Sequence, residues 1–286
     1  MLGLHAPRGA DLVPPSAKNP AGYWESMSLV AFNARVLAAV GSDMQCPRRL
    51  SVGWEHDPRL LGLRREAREA VRFAFPVAPW VWKDPRNCLV LPFWQAALPL
   101  DPVVVVVNRN PLEIAASAMR SRGNPTAYTL ALWERYLRVA LESIGGLPVF
   151  VTDYSLLMDD ALVWCEQIRA FLARANLRVD AAPESEVRQF IDAGLRHAVF
   201  TRHDALDHPA LSAEQRELFA CLEGLEGAHE RFVPPSLHAE TASTERVLAE
   251  RRRALRPRRD PAGAVARRVY AGVRRLKPLL ALSSAA

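Results

Sequence analysis

The sequence predicts an α/β domain built on a parallel sheet, and three observations carry that prediction. Residues 103–107 are five consecutive valines between Pro102 and Asn108. A β-branched run this uniform is apolar on both faces, as in a parallel strand covered by helices on each side. A second apolar run, Pro148-Val149-Phe150-Val151, follows a long amphipathic segment, so strand, helix and strand alternate with short links. Half of the 286 residues are hydrophobic and 24% are charged. That balance excludes wholesale disorder and collagen-like repetition.

The elements follow in order. The first twenty-odd residues are rich in Pro and Gly and read as a loop. Leu29, Phe32, Asn33, Val36, Leu37 and Val40 recur at helical spacing, with Gly41 as the stop. Residues 59–75 form a second helix, densely charged on one face. Pro79-Trp80-Val81-Trp82 reads as a short strand running into Lys83-Asp84-Pro85-Arg86, because Pro85 disfavours helix just before it. Beyond the valine strand, Pro111 suits the first turn of a helix through Arg120. A longer helix spans residues 126–144 and stops at Gly145-Gly146, and further helices are expected near 160–175, 184–194 and 212–222. From Glu240 the composition shifts to Arg and Ala. The chain therefore divides into a body, residues 1–239, and a basic helical tail, residues 240–286.

Charge narrows the function classes. Between Arg246 and Lys277 stand twelve basic residues against Glu250 and Asp260, a net of +10; the whole chain is +6, which leaves −4 on residues 1–245. The high pI belongs to the tail. The body lacks basic residues interleaved with aromatics, and tail charge alone is nonspecific, so no specific nucleic-acid partner is expected. No apolar run reaches the roughly 18 residues that span a bilayer, since Leu89 to Leu100 is broken by Pro92 and Pro99. The first thirty residues lack a basic start followed by an apolar stretch. Cys46, Cys88, Cys165 and Cys221 lie far apart with no C-x-x-C pair, which points to a reduced, cytoplasmic setting and no zinc site. His203 and His208 with Asp204 and Asp207 come nearest to a metal set, but the segment reads as a polar link and no metal is expected. In the tail, Val265, Val269, Val273 and Leu276 share one arc of about 80°, with Arg267, Arg268, Arg274 and Arg275 opposite. Such a stripe suits an anionic membrane surface at the cytoplasmic face, or docks back on the body.

Ligands of open α/β sheets bind at the carboxyl ends of the strands. Three polar clusters lie at such ends: Lys83-Asp84-Pro85-Arg86, Asn108-Arg109-Asn110 and Thr152-Asp153-Tyr154. Arg109 opens a helix, so a phosphate beside it also meets free amides and the positive end of the helix dipole. Ser117 lies about two turns further along. The plainer alternative is that Arg109 pairs with a neighbouring carboxylate and Ser117 faces solvent. Trp80, Trp82, Trp94 and Trp133 are expected in the core.

Four segments occur in a telling order: Pro20-Ala21-Gly22-Tyr23-Trp24-Glu25, then Lys83-Asp84-Pro85-Arg86, then Arg109-Asn110-Pro111 with Ser117, then Asp153-Tyr154-Ser155-Leu156-Leu157. From about Ala10 to Leu172 the chain resembles sulfotransferases that use 3′-phosphoadenosine-5′-phosphosulfate (PAPS), especially bacterial ones acting on glycans. The resemblance implies a P-loop-NTPase-like parallel sheet and in-line transfer of a sulfo group to a hydroxyl of a carbohydrate or small glycosylated acceptor, without metal. It implies that Arg109 and Ser117 hold the 3′-phosphate, that Tyr154 lies beside the adenine, and that Lys83 steadies the leaving group. Arg86 and Arg196 are further candidates for the nucleotide; for Arg196, beside His197, a solvated helix end is the alternative. Cytosolic members of the family carry a histidine two residues past the lysine, where this chain has Pro85, so the base falls to Asp84 or Glu25. Asp84 is alternatively a loop cap or partner of Arg86, and Glu25 an acceptor-site residue or helix cap. Relatives also open with a strand and a glycine-rich loop whose amides cradle the 5′-phosphosulfate. Met1-Leu2-Gly3-Leu4-His5 reads as the end of the helix after that loop, so the expected sheet lacks its N-terminal strand and leaves its neighbours' edges unpaired. The competing function is a non-catalytic remnant that binds a nucleotide or a partner.

Overall fold

In the computed structural model, which describes residues 2–16, 19–99, 101–191, 194, 196 and 198–255, the valine run forms β1 (Val104–Asn108) and the second apolar run forms β2 (Val149–Asp153). They pair in parallel, in register from Val104 opposite Val149 to Asn108 opposite Asp153. The chain crosses between them through α4 (Pro111–Arg122) and α5 (Thr126–Ser143). A third strand, β3 (Gly227–His229), pairs antiparallel with β2. The sheet is therefore small and mixed, in the order β1-β2-β3, and the all-parallel expectation is corrected. Three residues containing a glycine carry no strand signal, and it is the ladder to β2 that holds them extended.

Eleven α-helices surround this sheet among the described residues. Before β1 come α1 (Met27–Ala39), α2 (Leu61–Ala74) and α3 (Asn87–Ala97). Ser26 caps α1 by accepting from the Leu29 amide at 3.1 Å, and Gly41 takes φ 73° just past its end. The predicted stripe is the buried face: Leu29, Phe32, Asn33, Val36 and Leu37. It packs with Leu63, Ala67, Phe93 and Trp94 into a helical core that includes Trp80 and Trp82 at its margin. Each large apolar side chain sealed there contributes about 1.5–3 kcal/mol. The broken-looking run after Arg86 is α3, with Pro92 inside it and Pro99 just past its end.

Side chains on one face of the sheet, Val106, Val149 and Val151, pack on α4, α5 and α10 (Ala213–Gly224) through Leu112, Leu130, Trp133, Leu218 and Leu222. On the other face Phe150 packs against Ile168, Phe171 and Leu172 of α7 (Ala161–Arg174), which follows the short α6 (Tyr154–Asp159). That cover does not reach β1. Val105 is 39% exposed and Val107 48%, so the expectation of helices on both faces fails at the outer strand.

Three further expectations are corrected. Residues 79–82 form no strand: Trp80 makes an isolated parallel bridge with His5, in which the His5 amide donates to the Pro79 carbonyl at 2.9 Å and the Val81 amide to the His5 carbonyl at 3.0 Å. Leu2 to His5 is consequently not a helix end; it bends at Gly3, whose φ is 70°. The segment read as a polar link contains α9 (Arg202–Asp207), nucleated by a capping box between Thr201 and Asp204. The remaining predicted helix is α8 (Glu184–Phe190).

The composition change near Glu240 is followed by α11 (Ala242–Leu255), which docks along α5. Two adjacent buried residues of α5 fasten it. Arg135 donates to Glu240 at 2.6 and 2.7 Å, to Glu245 at 2.8 Å and to the Pro47 carbonyl at 2.6 Å. Glu134 accepts from the Thr241 amide at 2.9 Å, from the Thr244 hydroxyl at 2.7 Å and from Arg138 at 3.0 Å. The tail's valine and arginine stripe, residues 265–276, lies outside the described residues. Among the described residues no helix is long and apolar enough to cross a membrane.

Candidate functional site

The predicted site residues fall into two groups. The first gathers three distant segments around Glu25. Lys83 Nζ donates to Glu25 Oε1 at 2.7 Å and to the Tyr23 carbonyl at 3.1 Å, while Arg86 Nη1 donates to Glu25 Oε2 at 3.2 Å. Arg86 also donates to Asp84 Oδ1, through Nη1 at 2.7 Å and through its backbone amide at 2.8 Å. Asp84 Oδ2 accepts from Asn33 of α1 at 2.9 Å, and Asn33 in turn accepts from the Trp94 indole at 2.9 Å. The Asp84 side chain is sealed, whereas that of Lys83 is 54% exposed. Burial tends to lower the Arg86 pKa, but Asp84 and Glu25 outweigh it and hold the guanidinium above its ordinary value. Lys83 therefore precedes a helix, α3, instead of ending a sheet strand.

The second group sits at the carboxyl ends of β1 and β2. Asn110 caps α4 by accepting from the Leu112 amide at 3.0 Å, with Pro111 in its first turn. Arg109 projects just ahead of this cap. Its guanidinium lies 4.4 Å from the centre of the Tyr154 ring, and its Nε donates to Glu113 Oε2 at 2.9 Å. Arg196 reaches the same carboxylate, donating to Oε1 at 3.1 Å, and pairs with Asp159 at 3.4 Å. The plainer reading of Arg109, a pair with a neighbouring carboxylate, is what stands in the structure. Ser117 is half-buried on α4, and among the described residues its hydroxyl makes no hydrogen bond. A shallow cavity of about 240 Å³ adjoins this group, lined by Asp159 together with Met158, Leu162, Val187 and Arg188. His197 lies outside the described residues.

Among the described residues no hydrogen bond or ion pair joins the two groups. Glu113 was given no role by the sequence reading, although its i,i+4 spacing from Arg109 was the available signal. Asn108, named from the sequence only as part of a strand-end polar cluster, is 1% exposed, and neither its side-chain nitrogen Nδ2 nor its Oδ1 has a protein partner. Thr152, at the end of β2, likewise buries an unpartnered hydroxyl. Orphaned polar atoms at adjacent strand ends are costly unless water or a ligand meets them. Among the described residues no group of three or more His, Cys, Asp or Glu is placed to hold a metal ion, and His203 pairs with Asp207 at 3.0 Å.

No protein-family model, characterised protein or solved structure matches the chain.

Proposed function

We propose that the chain is a sulfotransferase that moves a sulfo group from PAPS to a hydroxyl of a carbohydrate or glycosylated small molecule. The observation that carries this reading is the Arg109–Tyr154 stack at the ends of two adjacent parallel strands, with Arg196 converging on the same carboxylate. A cation beside an aromatic face is the chemistry that a phosphorylated nucleoside calls for, one partner for the phosphate and one for the base. The crossover from β1 to β2 through α4 and α5 is compatible with a P-loop-NTPase-like sheet, as is the outer edge of β1, which has no partner strand among the described residues.

In this reading the acceptor oxygen attacks sulfur, a new S–O bond forms as the bond to the 5′-phosphate oxygen breaks, and 3′-phosphoadenosine-5′-phosphate departs. Alignment and neutralisation of the leaving phosphate dominate such a displacement. Lys83, exposed and held only at its tip, swings from Glu25 to the leaving oxygen. Glu25 thereby loses one of its two cationic partners and takes the acceptor proton. Asp84, sealed and saturated by Arg86 and Asn33, is a positioning residue. The second reading, a non-catalytic nucleotide-binding protein, is favoured by the pairing of both nucleotide-site arginines with Glu113.

The test is calorimetry with 3′-phosphoadenosine-5′-phosphate and adenosine 5′-phosphate, together with transfer of radiolabelled sulfate from PAPS to a glycan panel. We expect the 3′-phosphate to improve affinity by roughly tenfold or more, and Lys83→Ala to reduce transfer by about 100-fold. Binding without transfer to any acceptor leaves the second reading. Absence of binding ends both.

A further inference from the structure

Trp24 has a backbone conformation that its residue type disfavours. Its φ is 56°, in the left-handed region that bulky residues avoid, and the residue is 48% exposed, so burial does not explain the geometry. Its two neighbours are both fixed by one cation: Lys83 Nζ takes the Tyr23 carbonyl at 3.1 Å and the Glu25 carboxylate at 2.7 Å, closing a loop around residue 24. Tyr23 is tied further by the 2.8 Å hydrogen bond between its hydroxyl and that of Ser16. Glu25 is clamped from its other side by Arg86. The chain is thus pinned on both sides of an exposed indole at the rim of the Lys83–Glu25 group. Single exposed apolar residues need no explanation, but one held in a strained conformation beside a charged cluster does.

We infer that Trp24 is the platform on which the acceptor ring stacks, and that the acceptor is an uncharged pyranoside. This rests on reading the Lys83–Glu25 group as the transfer site. An indole offers a broad, rigid apolar face at little entropic cost, which complements the C–H face of a pyranose ring and leaves the hydroxyls at its edge free. Charge decides between sugar types. Lys83 and Arg86 are balanced by Glu25 and Asp84, so the group has no surplus charge to hold an anionic or cationic acceptor. Val81 and Met27, two residues from Lys83 and from Glu25, are also exposed. A ring lying on Trp24 sits one residue along the chain from Glu25, the group proposed to receive the proton.

The experiment uses the full chain labelled with fluorotryptophan and followed by fluorine NMR, with cellotriose as the probe and mannitol as a polyol that lacks a ring face. The Trp24 resonance is identified by its loss in Trp24→Phe. Cellotriose should shift that resonance and mannitol should not. Trp24→Ala should weaken cellotriose binding by roughly tenfold, and Trp24→Phe by about threefold or less, since a smaller aromatic face remains. Both variants should bind 3′-phosphoadenosine-5′-phosphate as the unchanged protein does, which also verifies that they fold. No binding of cellotriose, a shift confined to other tryptophans, or equal affinity in Trp24→Ala overturns the platform. If cellotriose binds through Trp24 while the nucleotide does not bind at all, the platform stands and the sulfotransferase reading falls.

Discussion

Replacing Arg109 by alanine and Glu113 by glutamine should move nucleotide affinity in opposite directions. Arg109 gives its Nε to Glu113 at 2.9 Å and lays its guanidinium 4.4 Å from the Tyr154 ring centre, so the rest of its hydrogen-bonding edge is what a phosphate can use. A hydrogen bond to a charged group contributes about 1.5–3 kcal/mol. Arg109→Ala should therefore raise the dissociation constant for 3′-phosphoadenosine-5′-phosphate by roughly 10- to 150-fold. Glu113 acts with the other sign. A phosphate on the far side of the guanidinium stands about 6 Å from that carboxylate, and at an effective dielectric near 20 the repulsion is about 3 kcal/mol per unit charge. Solvent screening and looser positioning of Arg109 reduce the usable part to about 1 kcal/mol, so Glu113→Gln should tighten binding by roughly fivefold. The same change costs about 1–3 kcal/mol of stability, because two guanidinium groups lose a charged acceptor. Urea titration of each variant, followed by calorimetry under conditions where all are folded, separates the two effects. If both variants bind as the unchanged protein does, or both weaken alike, Arg109 does not hold the phosphate.

The remaining predictions concern stability. Arg135→Ala strands Glu240, Glu245 and the Pro47 carbonyl and should cost about 3–5 kcal/mol, read by urea denaturation, with amide-exchange protection of α11 lost before the rest. Burial pushes the Glu245 carboxyl up, but the hydrogen bond and charge of Arg135 outweigh it and leave its pKa lowered. Its contribution is thus complete above its unfolded value of about 4.3 and is lost as pH falls through the lowered one, so α11 protection should fall in that acidic window and not on the alkaline side. At the left-handed position 24, Trp24→Gly should be more stable than Trp24→Ala by about 1 kcal/mol, and equal midpoints in urea would refute the strain. Threonine at both Val105 and Val107 should cost less than about 0.5 kcal/mol per site, a surface-type change, and should reduce aggregation on light scattering.

Periodicity made α1 legible because every member of the stripe from Leu29 to Leu37 is a side chain that must be buried, and the structure buries them all. The strand cores at Val106 and Val149 were legible for the same reason. Other features depend on partners far along the chain. Pro92 looks like a breaker in isolation, yet α3 continues through it while Val90, Phe93 and Trp94 fill the helical core. In α5, no local pattern shows that the charged Glu134 and Arg135 are buried, because they are sealed by segments about a hundred residues away. In the candidate site, residue types were readable and contacts were not. Glu25 meets Lys83 across 58 positions, and Asn33 meets Asp84 across 51. The helix stripe gave Asn33 as a core position without showing what its amide would hold.

Both charged groups are close to internally neutral, and that constrains how an anion can bind here. Arg109 and Arg196 face Glu113 and Asp159, just as Lys83 and Arg86 face Glu25 and Asp84. The chain's positive surplus lies in the basic stretch after Arg246, so long-range attraction by the body supplies little. A phosphate must gain its contacts by exchanging partners. The four carboxylates differ in how readily they yield. Glu113 and Asp84 are almost wholly buried and cannot leave without stranding a cation, whereas the Asp159 side chain is 71% exposed and holds Arg196 at 3.4 Å. Releasing Asp159 to water costs little on the carboxylate's side, since it is already largely solvated and its contact with Arg196 is long. Arg196 can therefore turn its Nη1 edge to an anion at the cavity that Asp159 lines while its Nη2 stays on Glu113, just as Arg109 stays oriented by Glu113 and Tyr154. The buried carboxylates set the geometry, and the exposed one is the partner that an incoming anion replaces.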